Sequence, residues 1–140
     1  MKAQIDMLGR LADVRGGKVR ELLGRVNYQQ TLCQRYRNNI TGLDRLCGFS
    51  VATSTPLQRH NQQQYKVTLH KMLQLQRREL EVAEQALARI QGELLAAMRS
   101  EKVLTQVIEA KVGQWQAQLA QQEQKIQDGL AAQSWWRARA

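Results

Sequence analysis

Apolar side chains recur every three or four residues along most of this 140-residue chain. From the start, Ile5, Ala12, Val19, Val26, Cys33, Ile40 and Cys47 hold one heptad position, and Leu8, Arg15, Leu22, Gln29, Tyr36 and Leu43 hold the other. Steps alternating three and four keep such residues on one side of an α-helix, as the seam of a coiled coil requires. Leu11, Leu23, Leu32 and Leu46 lie beside this seam and widen it. Later in the chain Leu80, Ala83, Leu87, Ile90 and Leu94 repeat the pattern. Ile108, Val112, Trp115, Leu119, Gln122 and Ile126 repeat it again, after an irregular passage from Met98 to Thr105.

Between the two periodic stretches, Gly48-Phe49-Ser50-Val51-Ala52-Thr53-Ser54-Thr55 breaks both patterns, and Gly48 suits a helix C-terminus. Thr55-Pro56-Leu57-Gln58 then supplies an N-cap hydroxyl, proline at the first helical position and glutamine at the capping-box position. The pattern predicts one coiled-coil domain over residues 1–140, with a helix over about 4–48, a loop over about 49–55 and a helix over about 56–136. The fold class is all-α, a long antiparallel two-helix coiled-coil hairpin with an overhanging second helix. At 1.5 Å per residue that second helix is about 120 Å long, so a rod is expected. Gly9, Gly16, Gly17 and Gly24 weaken the first half of the first helix by about 1 kcal/mol each relative to alanine.

If the loop joins Gly48 directly to Pro56, residues that face each other have numbers adding up to about 104. Everything after about Leu104 then overhangs, about 30 residues or 45 Å. Ile108, Val112, Trp115, Leu119, Ile126 and Leu130 would form an apolar stripe with no intramolecular partner. Burial of each large side chain is worth about 1.5–3 kcal/mol, so something should cover the stripe, either a second copy of the chain or a first helix shifted along the seam.

Composition narrows the function. Apolar residues make up 43% of the chain but aromatic ones only 5%, too few bulky side chains for a globular core, and a single proline leaves little room for turns. The formal net charge of +9 divides into about +5, +3 and +1 over residues 1–48, 49–100 and 101–140. No run of basic residues exceeds Arg77-Arg78 and none clusters with aromatic side chains, so a solvated helix surface is expected in preference to a nucleic-acid interface. No segment has the apolar length of a signal peptide or a membrane span, which makes the cytoplasm the default location.

The residues that could carry chemistry do not assemble. Cys33 and Cys47 would stand about 21 Å apart on one helix, beyond disulfide reach, and read as small packing residues. His60 and His70 have no metal-ligand spacing, and Gly16-Gly17-Lys18 lacks the rest of a phosphate-binding loop. A non-enzymatic protein without catalytic, cofactor or metal site is expected.

The run Tyr36-Arg37-Asn38-Asn39 late in the first helix, with Asn61-Gln62-Gln63-Gln64-Tyr65 early in the second, resembles the FliJ family of flagellar export proteins. Length, basic charge and hairpin architecture agree over nearly the whole chain. The resemblance implies a soluble component of the flagellar type III export apparatus, similar to the central stalk of rotary ATP synthases. Its partners would be the hexameric export ATPase, the cytoplasmic domain of the export gate FlhA and export chaperones, and it would be held near the inner membrane through those partners alone. Aligned on the two motifs, the gate-contacting positions would be Leu32, Tyr36, Tyr65, Leu69 and Met72. With a register near 104 these five come within about two helical turns, as surface contacts or as hairpin packing. The resemblance adds a third cover for the unpaired stripe, the inner wall of the ATPase ring, contacted by Ile108, Val112, Trp115 and Leu119. The glycine-rich N-terminus and the ending Trp135-Trp136-Arg137-Ala138-Arg139-Ala140 depart from the family pattern. Two other classes stand beside it: the equivalent stalk of a virulence injectisome, which shares the physics but not the Tyr36-Arg37-Asn38-Asn39 run, and a rod that binds nucleic acid or a membrane surface, for which the net charge of +9 is the support.

Overall fold

The computed structural model describes residues 1–139. Helix α1 spans Lys2–Gly48 and helix α2 spans Pro56–Arg139, and the two pack against each other as an all-α hairpin. Their contacts divide the chain into two compact units, residues 20–95 and residues 1–19 with the part of α2 from Ala96 onward.

In the unit of residues 20–95, the start of α2 follows from its sequence. The Gln58 N–H donates to Thr55 Oγ1 at 3.2 Å, and Gln58 Oε1 accepts from the Ser54 N–H at 2.9 Å and the Ser54 hydroxyl at 3.0 Å. This is a capping box whose return bond lands one residue before the cap. At the other end of the loop, α1 stops at Gly48 without a left-handed residue, since no described residue has a positive φ. The Phe49 N–H instead donates to the Leu46 carbonyl at 3.2 Å, closing the last turn more tightly than an α-helix does.

The register differs from the expected value of about 104. Gln29 Nε2 donates to the Ala83 carbonyl at 3.0 Å, and Asn39 Nδ2 donates to Gln76 Oε1 at 3.3 Å. Beside the loop, the Gln62 amide is oriented so that its nitrogen donates to the Val51 carbonyl at 3.1 Å and its oxygen accepts from the Val51 N–H at 3.2 Å. The numbers in each pair add up to between 112 and 115. The loop is the reason. It runs on past the end of α1 alongside the first turns of α2 before it turns back. Five extended residues at about 3.3 Å each cover the same distance as about 11 residues of helix at 1.5 Å.

Leu22, Val26 and Cys33 of α1 are buried in this unit, with Leu69, Leu73, Ala83 and Ile90 of α2. Gln76, Leu80, Leu87 and Leu94, half-buried, complete an unbroken alternation of three and four along α2.

In the second unit, Ala97, Glu101, Leu104 and Ile108 keep the same alternation, with Leu104 buried and the others half-buried. The expected irregularity from Met98 to Thr105 is therefore absent. Glu101 holds a seam position there and Ala97 the one just before it, and neither is a large apolar residue. Two consecutive steps of four occur instead from Leu104 to Ile108 and Val112, where Lys111 and Val112 are both half-buried, the spacing that locally unwinds a supercoil.

Arg15 sits at a seam position of α1 and donates from Nη1 to the Ser100 carbonyl at 3.3 Å. Counting equal steps outward from this pair puts Met1 level with about Gln114. The overhang accordingly begins near Gln116, not near Leu104, and every described residue from Gln116 onward is exposed.

Candidate functional site

The Tyr36-Arg37-Asn38-Asn39 run occupies four successive heptad positions, with Tyr36 on the seam and Arg37 and Asn39 on its two sides. Arg37 Nη2 meets Glu84 Oε1 at 3.1 Å on one flank. Asn39 donates to Gln76 on the other flank, while Asn38 points away and accepts from Gln34 Nε2 at 2.9 Å within α1. The motif therefore straddles the seam and bonds to α2 on both sides. Exposed pairs of this kind contribute at most about 1 kcal/mol, so their effect is on register more than on stability.

The five residues expected at the gate separate into two levels. Leu32 and Tyr36 are half-buried, and Tyr36 stands level with about Glu79, not with Leu69. Leu69 is buried in the seam. Tyr65 and Met72 are exposed, seven residues apart and so on one face of α2. Leu32 and Tyr65 lie about 27 Å apart along the helix axis in this register, farther than the two turns expected, because the shifted register moves α1 along α2.

What the structure brings together beside the motif is a groove of about 400 Å³ lined by Asn38, Asn39, Gly42, Leu43, Leu46, Met72 and Gln76. Gly42 contributes no side chain to the groove wall, and Leu46 and Met72 are exposed apolar walls. Leu75, three residues beyond Met72, extends the apolar face. Gly42, Leu43, Leu46 and Leu75 were missed as site candidates. The signal for them was Leu46 beside the seam, but a register of 104 sets Leu46 against Gln58 and hides its approach to Met72.

Of the four residues expected at the ATPase ring, Ile108, Val112 and Trp115 are half-buried and Leu119 is exposed. Ile126 and Leu130 are exposed beyond it. Near the end of α2, the Trp135 and Trp136 rings meet edge to face at 5.3 Å, and the Arg139 guanidinium lies 4.3 Å over the Trp135 ring. Both cysteines are free, Cys33 buried and Cys47 half-buried. Among the described residues no group of three or more His, Cys, Asp or Glu side chains could hold a metal ion. No helix among them is long and apolar enough to cross a membrane.

A family model described as flagellar FliJ protein matches residues 4–140. No curated protein and no solved structure matches the chain.

Proposed function

Because the chain belongs to the flagellar FliJ family and is thus a protein of flagellar export, we propose that it works as a stalk-like coiled coil between the hexameric export ATPase and the cytoplasmic domain of the export gate FlhA. It also escorts export chaperones, and it acts by binding and linking, not as an enzyme. In this reading it works on the cytoplasmic side of the inner membrane. The observation that carries the proposal is the family match over nearly the whole chain.

The hairpin supplies one surface for each large partner. The gate is met at the groove beside the family motif, through Tyr65 and Met72 with Leu46 and Leu75, while Leu32, Tyr36 and Leu69 support that surface from the seam. The ATPase ring is met by the overhang, through Leu119, Ile126 and Leu130, with Ile108, Val112 and Trp115 forming the edge nearest α1. A stripe of exposed apolar residues that continues a coiled-coil seam is suited to a helical or concave apolar partner.

Substitution separates the two. Leu119→Gln with Ile126→Gln and Leu130→Gln keeps helix propensity and should leave the melting temperature unchanged while abolishing stimulation of the export ATPase. Tyr65→Ala with Met72→Ala should leave the fold intact, seen by circular dichroism, and impair motility. Full stimulation and normal motility from folded variants would remove both surfaces from the mechanism.

A further inference from the structure

The hairpin end of the molecule carries most of the net charge. From Arg45 to Arg78 there is no Asp or Glu, while Arg45, Arg59, Lys66, Lys71, Arg77 and Arg78 contribute +6 of the chain's +9. One of the six, Arg77, meets Asp44 Oδ1 at 3.5 Å, at the border of the segment.

The positions are ordered on α2. Arg59, Lys66, His70 and Arg77 follow one another by seven, four and seven residues, which places them in one row along the helix. His60, Val67, Lys71 and Arg78 form the adjoining row with the same spacing. At the loop end, a concavity of about 220 Å³ sets the Ser50 side chain with Arg59, Gln62, Gln63 and Lys66. Beside these cations stand exposed apolar side chains that no part of the seam covers: Phe49 at 70%, Val51 at 60% and Leu57 at 69%.

We propose that this end of the hairpin docks on an anionic lipid surface, with Phe49, Val51 and Leu57 entering the headgroup region and the two basic rows lying over the lipid phosphates. The combination decides the partner. Stable attachment of a peripheral protein takes two signals, an apolar insertion and a basic patch, and both occur here, Leu57 and the loop residues adjoining Arg59, from which the basic rows run to Arg78. A nucleic acid would use the cations but leave the aliphatic Val51 and Leu57 in water.

The test is flotation of the full chain with phosphatidylcholine vesicles that contain or lack phosphatidylglycerol, at physiological salt. Binding is expected only with phosphatidylglycerol, and it should weaken steeply as salt is raised. Each cation close to an anionic leaflet is worth about fivefold in affinity, so Arg59→Gln with Lys66→Gln and Lys71→Gln should weaken binding about 100-fold. Phe49→Ser with Val51→Ser should weaken it at constant charge. Phe49, Val51, Arg59 and Lys71 are exposed and Lys66 is half-buried beside the end of the seam, and circular dichroism verifies that the variants fold. Failure of the wild-type chain to float with anionic vesicles overturns the proposal. So does insensitivity to the loop substitutions together with tight, salt-dependent binding to duplex DNA, which would make the patch a nucleic-acid site.

Discussion

Two polar side chains at seam positions do what an apolar residue there could not. Gln29 and Arg15 each donate to a backbone carbonyl of α2, at Ala83 and Ser100, and so tie a level of α1 to a level of α2. A leucine at either place would bury more apolar surface but accept several registers, the exchange that polar seam residues make in coiled coils. Around them the seam depends on few side chains. Leu22 is 2% exposed, and Leu22→Ala should cost about 2–5 kcal/mol, visible as a lower denaturant midpoint with an unchanged slope. Cys33 is fully buried while Cys47 is half-buried near the end of α1. A thiol reagent should therefore modify Cys47 in the native protein and reach Cys33 only on unfolding. Equal rates would mean that the seam opens around Cys33 faster than the reagent reacts.

Within the elements, glycine is the clearest source of unrealised stability. Gly24 in α1 and Gly92 in α2 are exposed and helical, and a Cβ added at either meets nothing within 4 Å. Gly24→Ala and Gly92→Ala should each stabilise by about 0.5–1 kcal/mol, raising the melting temperature by several degrees together. No rise would imply that the helix frays locally at that position in the native state. The ion pairs between the elements contribute less. Arg37–Glu84 at 3.1 Å and Arg25–Glu93 at 3.9 Å are both exposed, so Arg37→Ala should change stability by less than about 1 kcal/mol. A loss larger than about 2 kcal/mol in thermal unfolding would give the motif a structural role beyond register.

For the molecule as a whole, register is the quantity on which the placement of both candidate surfaces depends. Asn39 bonds Gln76, whereas a register near 104 would set Asn39 level with Tyr65, about 16 Å away along the axis. Spin labels at Asn39 and Gln76 should report a shorter distance than labels at Asn39 and Tyr65. The reverse order would restore the direct loop crossing and with it the longer overhang. In the unit that contains Arg15 and Ser100, their pairing leaves α2 unpaired from about Gln116, so ending the chain there should barely alter the melting temperature while removing Leu119, Ile126 and Leu130.

The amino-acid order by itself determined the two helices, most of their seams, the loop between them and the cap that starts α2. Each is a local property: periodicity places side chains on a helix face within a few turns, and Thr55, Pro56 and Gln58 act on neighbours three or four residues away. The family was legible too, because Tyr36 to Asn39 is a contiguous run on one helix. Charge was readable in principle, but totals over long segments concealed the carboxylate-free stretch from Arg45 to Arg78. Only the tertiary structure decided how far α1 slides along α2. A heptad seam accepts many offsets at nearly equal apolar burial, and the path of the loop, with the carbonyl bonds of Arg15 and Gln29, selects one. That selection exposed Met72 beside Leu46, buried Leu69, and half-buried Ile108, Val112 and Trp115, because exposure along a seam is set by where the partner helix ends.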